Sequence, residues 1–292
     1  MISVLIPTYN YVCSELVHDL HRQLLLSVND FEIIVAEDGS TDQQTIDANH
    51  GITELTACRH IVNRQNLGRA RVKNFLVNEA KGEWCILMDS DAKVVDEGFI
   101  KKYIDYTNED VDVVVGGLVN PDDLPDKDAT LRYKYEKAAE QYRTAKYRTH
   151  HPYKRFCTFN FMARRDILLE VPFDARCTEY GHEDTLMGIE LQRHNKNILH
   201  IDNPLMHLGF DDNKTYLKKV DTSLRSLKRI EADILPTTGL GKIVLKIRKY
   251  HLSALVRLIY RSCHSMLLHN LISNNPNLTL FSFYKLGYYI SL

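Results

Sequence analysis

The chain has no cysteine pair at CxxC spacing and almost no net charge. It also lacks the uninterrupted apolar run of about 20 residues that a membrane-spanning helix needs. Its six cysteines, Cys13, Cys58, Cys85, Cys157, Cys177 and Cys263, are scattered. That pattern argues against a zinc site and a disulfide framework and fits a reducing cytoplasm. "MISVLIPTYN" runs straight into an apolar strand, with neither a basic region nor a small-residue cleavage site, so the chain reads as cytoplasmic rather than secreted. Lys and Arg total 37 against 38 Asp and Glu. Near neutrality supplies neither the bulk positive charge that nucleic-acid binding draws on nor the acidic excess of a disordered chain. The average hides an asymmetry: from Lys214 onward there are 13 Lys/Arg and only 3 Asp/Glu (Asp221, Glu231, Asp233).

What is present is alternation. At 292 residues the chain fits one large α/β domain, or one domain with an appendage,. Ile2–Ile6 is an apolar run ended by Pro7, Ser14–Val28 has helical spacing, and Phe31–Ala36 is a strand-like run ended by "EDGSTD". "CRHIVN" predicts a third strand, Leu67–Ala80 a helix, "WCILM" a fourth strand, Phe99–Thr107 a helix and "VDVVVGG" a fifth strand. Apolar strands alternating with helices predict a Rossmann-like, mainly parallel sheet covered on both faces. Ligands of such sheets lie across the carboxyl ends of the strands, which here carry "PTYN", "EDGSTD" and "DSD".

In "CILMDSDA", Asp89 and Asp91 flank Ser90. Side chains two apart in extended chain point to the same side, so both carboxylates can face one point beyond the sheet. Two hard oxygen ligands there suit Mn²⁺ or Mg²⁺, bound together with substrate phosphates. An ordinary turn is the competing reading, and Asp38 beside Gly39 is equally compatible with an Asx-turn.

"VLIPTYN", "VAEDGSTD", "NRQNLGRARVKNFLVNEAKGEW" and "CILMDSDA" occur in the order and spacing of the donor half of family 2 glycosyltransferases with the GT-A fold, which residues 1–115 resemble. The resemblance implies a nucleotide-diphosphate-sugar donor, most often a uridine one. Pro7, Thr8 and Tyr9 would then lie along the nucleoside and Asp38 on the base. Asn66 and Ser90 count among the donor-binding positions, Asp89 lies near ribose and sugar, and Asp91 holds the metal on the diphosphate. Two departures stand out: Glu37 where an aspartate is common, and Lys73 where arginine is. Lysine is a point charge and arginine a bidentate fork, so a donor contact by Lys73 differs in kind.

A metal-bound diphosphate can leave without a general acid, but the attacking sugar hydroxyl needs a base. "EYGHEDTLMGIELQRH" reads as a helix entered at Glu183 and Asp184. Carboxylates in a first turn also cap free N–H groups and suit the helix dipole. "GHED" resembles the family's acceptor-side motif, also found in the related galactosyltransferase C-terminal region. It implies Asp184 as base and Glu183 as the residue orienting the acceptor. By the same resemblance His207, in "NPLMHLGF", completes the metal site, and Asn160, in "CTFNFMARRDIL", lines the donor sugar. His150 and His151 read as solvated or facing the acceptor, and Arg132–Arg148 as an exposed helix bordering the acceptor cleft.

"LGKIVLKIRKYHLSALVRLIYRSCHSMLLH" predicts one or two basic amphipathic helices. They pack on the catalytic domain or in a dimer, or attach to an anionic membrane surface, and the apolar end "LFSFYKLGYYISL" leans toward the membrane. The expected organisation is a donor half at 1–115, an acceptor and catalytic-base half at 116–212, and a helical appendage at 213–292. The expected function is an inverting, metal-dependent transfer of a sugar to a saccharide or lipid-linked glycan, in the cytoplasm or on the inner face of the membrane. A nucleotidyltransferase, or a non-catalytic sugar-nucleotide-binding module, is the alternative.

Overall fold

The computed structural model describes residues 1–292. In chain order the first half contains β1 (Ile2–Thr8), α1 (Ser14–Ser27), β2 (Phe31–Asp38), α2 (Gln43–His50), β3 (Cys58–Asn63), α3 (Arg69–Glu79), β4 (Trp84–Met88), β5 (Ala92–Lys93), α4 (Phe99–Ile104), β6 (Val113–Val115) and β7 (Leu118–Val119). There follow α5 (Thr130–Ala139), α6 (Ala145–Thr149), β8 (Asn160–Arg164), α7 (Arg165–Glu170), α8 (Glu183–Arg193), β9 (Ile198–His200) and β10 (Leu205–His207). The chain closes with α9 (Asn213–Arg229), α10 (Glu231–Ile234), α11 (Gly239–Lys249), α12 (Ser253–Leu271) and α13 (Leu278–Ser291).

These elements form two units. The first comprises Met1–Val119, Gln141–Thr178 and Glu183–Gly209, and the second Asn120–Glu140, Glu179–His182 and Phe210–Leu292. Residues 120–140, assigned from sequence to the acceptor half, therefore group with the C-terminal helices.

A seven-stranded sheet ordered β3-β2-β1-β4-β8-β6-β9 organises the first unit. Strands β3, β2, β1 and β4 are parallel to one another, β8 runs antiparallel to both β4 and β6, and β6 pairs parallel with β9. The near-continuous apolar runs of β1 and β4 reflect burial on both faces. Val4, Ile6, Ile86 and Met88 pack against Leu16, Val17 and Leu20 of α1 and Phe99 and Tyr103 of α4. A small sheet, β5-β10-β7, sits beyond the end of β4, with His207 paired to Ala92.

The expected exposed helix over 132–148 is not formed. The segment breaks into α5 and α6, and Arg148 is buried. Its guanidinium donates to the carbonyls of Val115 (2.9 Å), Gly116 (3.0 Å) and Ile201 (2.7 Å) and to Nδ1 of His200 (3.0 Å). The Val115 and Gly116 carbonyls also accept from the N–H groups of Ile201 (3.0 Å) and Asn203 (3.3 Å), so Arg148 adds a second donor to each. Burial, reinforced by the neighbouring Arg148 charge, pushes His200 down to about 4, so its imidazole is neutral and can accept that bond,.

The second unit is helical. Asp212 caps α9 by accepting from the N–H groups of Lys214 (2.9 Å) and Thr215 (3.0 Å),. The helix then buries Tyr216, Leu217, Val220, Leu224 and Leu227 along one stripe,. Helix α13 packs on α12 and α9. Of its aromatic residues, read as leaning toward a membrane, Phe281, Tyr284 and Tyr289 are buried within the protein, with Tyr284 donating to Asp221 (2.9 Å) and Tyr289 to Glu231 (2.8 Å). At Gly287 the two helices meet so closely that a Cβ would stand 2.3 Å from the Tyr260 ring.

Candidate active site

The site is built from the carboxyl ends of β2 and β4, the entry to α3, the residues before β8, the start of α8 and the end of β10. At the end of β2, Asp38 accepts from the N–H groups of Leu67 (2.7 Å) and Gly68 (3.1 Å), fixing the loop that enters α3. Burial raises its carboxyl and those two bonds oppose the shift without cancelling it,. Asn66 closes the same loop, donating to the Asp38 carbonyl (2.8 Å) and accepting from Gly68 N–H (3.0 Å). Thr8 is buried and donates to the Tyr11 carbonyl (2.9 Å), while Pro7 is partly open and Tyr9 is 52% exposed. Glu37 is internal, accepting from Asn49 (2.7 Å) and from the Ser40 hydroxyl, with His60 Nε2 3.3 Å away.

The two aspartates beyond β4 have different partners. Asp89 accepts from Arg69 (2.8 Å) and lies 3.5 Å from the Lys73 ammonium. Asp91 Oδ2 lies 3.3 Å from His207 Nε2. Asp89, Asp91 and His207 were expected to converge on one ion, and no cluster of three ligating side chains forms among the described residues. Asp89 is engaged by cations instead, and Asp91 and His207 remain as the pair. Ser90 lies between, half-buried.

The Asp91–His207 pair fits a divalent cation in its donor set, a carboxylate oxygen and an imidazole nitrogen. Their 3.3 Å separation is compatible with adjacent ligands at the usual metal distances of about 2.0–2.2 Å. The β5–β10 pairing brings His207 alongside Ala92, and the ring packs edge-on against Phe159 at 5.4 Å. Gly209 makes room for the carboxylate, since a Cβ there would come within 1.9 Å of Asp91 Oδ2.

On the acceptor side, Glu183 is buried and its carboxylate lies 3.1 Å from Arg69 Nε. Asp184 accepts from the Thr158 hydroxyl (2.6 Å), which in turn accepts from the Lys73 ammonium (2.7 Å). Burial and the adjacent Glu183 charge push Asp184 up, against the opposing pull of Lys73 and Thr158,. The raising effects prevail, a balance that sequence leaves open. Lys73 is buried against Thr158, Asp89 and the Phe173 ring. It thereby links Asp89 to Asp184 through the Thr158 hydroxyl.

Asn160, expected to line the donor sugar, is completely buried, accepts from Tyr103 OH (2.7 Å) and donates to the carbonyls of Gly117 (3.1 Å) and Asn203 (2.7 Å). These bonds tie the start of β8 to the neighbouring loops. Three residues that matter here escaped the sequence reading: Arg69, Thr158 and Gly209. Arg69 had a usable signal, lying four residues before Lys73 and so on the same helical face. Thr158 and Gly209 had none.

The sequence profile described as Glycosyl transferase family 2 matches residues 3–171, and the chain belongs to that family. Glycosyltransferase GlyG of Streptococcus pneumoniae serotype 4 (strain ATCC BAA-334 / TIGR4) is 32% identical over 124 residues, covering 42% of this chain and 40% of that protein. The chain therefore spans less than half the length of this relative. Among solved structures, mannosyltransferase PcManGT from Pyrobaculum calidifontis in complex with GDP-Man and Mn²⁺ superposes with a TM-score of 0.57 at 13% identity, over 99% of this chain and 84% of that one. S. aureus TarS 1-349 in complex with UDP gives a TM-score of 0.53 at 16% identity, over 99% and 89%. These likenesses establish the α/β fold of GT-A type with its mostly parallel sheet.

Proposed function

We propose that the protein transfers a sugar from a nucleotide diphosphate donor to a saccharide or lipid-linked glycan hydroxyl with inversion, in the cytoplasm or on the inner face of the membrane. The observation that carries this reading is the single chain of contacts from Asp89 through Lys73 and Thr158 to Asp184, next to the Asp91–His207 pair. It sets a raised carboxylate, suited to taking a proton from a hydroxyl, beside a place for a diphosphate. Asp91 and His207 would hold Mn²⁺ or Mg²⁺, which when bound offsets charge developing on the departing diphosphate. PcManGT with its GDP-Man and Mn²⁺, and TarS with its UDP, support a nucleotide-sugar donor. The choice of uridine rests on the family resemblance at Asp38.

Asp184 takes the proton of the acceptor hydroxyl while that oxygen attacks the anomeric carbon and the diphosphate leaves from the opposite face. Arg69 holds Glu183 and Asp89 in place, so acceptor and donor carboxylates keep a fixed spacing. The test is a nucleotide-sugar panel with and without Mn²⁺, read by donor titration, initial rates and NMR of the product anomeric centre. Asp184→Asn is expected to lower the rate by roughly 10²–10⁴ with donor binding unchanged. Asp91→Ala is expected to abolish metal-enhanced donor binding. Product with the donor's anomeric configuration, or a near-normal rate for Asp184→Asn, would refute the mechanism.

A further inference from the structure

The second unit presents two apolar faces, and only one is used internally. On α12, Tyr260, Leu267 and Leu271 are buried. On the other side Leu252, Leu255, Leu258, Ile259 and Met266 are 44%, 52%, 63%, 47% and 59% exposed. At about 100° per residue these five fall within an arc of roughly 120°. Inside that arc Ser262 returns its hydroxyl to the Leu258 carbonyl at 3.0 Å, and the exposed His269 closes its C-terminal end.

The same stretch of chain is basic. On α11, Lys242, Lys246 and Lys249 recur at helical spacing and are exposed,. Ile243, Leu245 and Tyr250, at 49%, 40% and 65% exposure, flank them. Arg261, also exposed, borders the apolar arc of α12. Between Ile234 and Leu292 there are seven Lys/Arg and no Asp or Glu.

This combination selects among possible coverings. A symmetric dimer would lay the patch on itself and set cation against cation with no acidic residue to answer it. An anionic lipid surface answers both features, since its headgroups take the lysines and the acyl boundary takes the leucines. No helix is long and apolar enough to cross a membrane, so contact lies along the surface. We infer that the outward face of α12, together with the lysine stripe of α11, lies on an anionic lipid bilayer, with Leu255, Leu258, Ile259 and Met266 entering the headgroup–acyl boundary. This inference concerns a surface remote in kind from the transfer chemistry and holds or fails without it.

The experiment is flotation of the full chain, without donor, using vesicles of phosphatidylcholine alone or mixed with phosphatidylglycerol. Recovery is expected only with phosphatidylglycerol, and raising the salt concentration should release the protein. The triple variant Lys242→Gln, Lys246→Gln, Lys249→Gln is expected to bind roughly 100-fold more weakly. Leu255→Gln with Leu258→Gln is expected to lose roughly tenfold or more. Circular dichroism should show both variants folded, because the altered side chains are exposed. The salt series on the unmodified chain decides independently should either variant misfold. Failure to float with phosphatidylglycerol, or equal recovery with both vesicle types, would overturn the inference. So would a concentration-dependent dimer that Leu258→Gln dissolves, which would assign the face to a second copy.

Discussion

Thr158 has a forced orientation. The Lys73 ammonium is only a donor, so the hydroxyl accepts there at 2.7 Å and has a single proton to give, which goes to Asp184 at 2.6 Å,. That bond favours the carboxylate form while burial and Glu183 oppose it. A base works only when deprotonated, so the rate should fall as pH drops through a value above the ordinary aspartate range. Thr158→Val removes the donor, and its pH–rate inflection should move further upward, with a rate loss of roughly tenfold at neutral pH. Thr158→Ser should restore both the inflection and the rate. A Thr158→Val profile identical to the wild type would remove this residue from the mechanism. Sequence named Asp184 and Lys73, but not the hydroxyl between them. A threonine before a strand carries no pattern, and its meaning appears only when β8 pairs beside β4.

At the scale of elements, long periodic segments were legible and short ones were not. "CRHIVN" and "WCILM" are β3 and β4, and α1 and α8 begin where spacing placed them. Two-residue strands such as β5 and β7 have no period to read, so the small sheet that orients His207 was invisible. The tail was legible as helices but not as partners. Apolar content foretold burial without saying whether protein or lipid would supply it, and α13 proved internal whereas α12 faces both ways. The α12–α13 contact offers a direct check. With a Cβ at Gly287 standing 2.3 Å from the Tyr260 ring, Gly287→Ala is expected to cost about 1–3 kcal/mol by overpacking. Thermal or urea unfolding would show it, and an unchanged midpoint would mean that the helices separate easily.

For the whole molecule, the charge asymmetry seen in the sequence marks a real division, since the basic residues from Lys214 onward fall in the helical unit and the carboxylates of the candidate site in the sheet unit. The units change at Val119/Asn120 and Gly209/Phe210, close to the expected boundaries at 115 and 212, but the stretch between them is divided. Residues 120–140 leave the second third for the helical unit, and β8, β6 and β9 complete a sheet begun by the first third. Contiguity along the chain is the wrong guide where one strand inserts between two others.

That insertion has a consequence for how the chain comes into being. Strand β4 is wholly buried, paired with β1 on one side and β8 on the other. Until Asn160–Arg164 arrives, the backbone N–H and C=O groups on the edge of "WCILM" away from β1 have no partner, and its apolar side chains accompany an open strand edge. Such an edge is a template for pairing with other chains. A fragment of residues 1–115 is accordingly expected to form insoluble aggregate that detergent does not disperse, whereas the full chain is expected to stay folded, as centrifugation of the two would show. A newly made chain is therefore most vulnerable after β4 has emerged and before β8 has, the interval in which a chaperone that shields strand edges would be of greatest use to it.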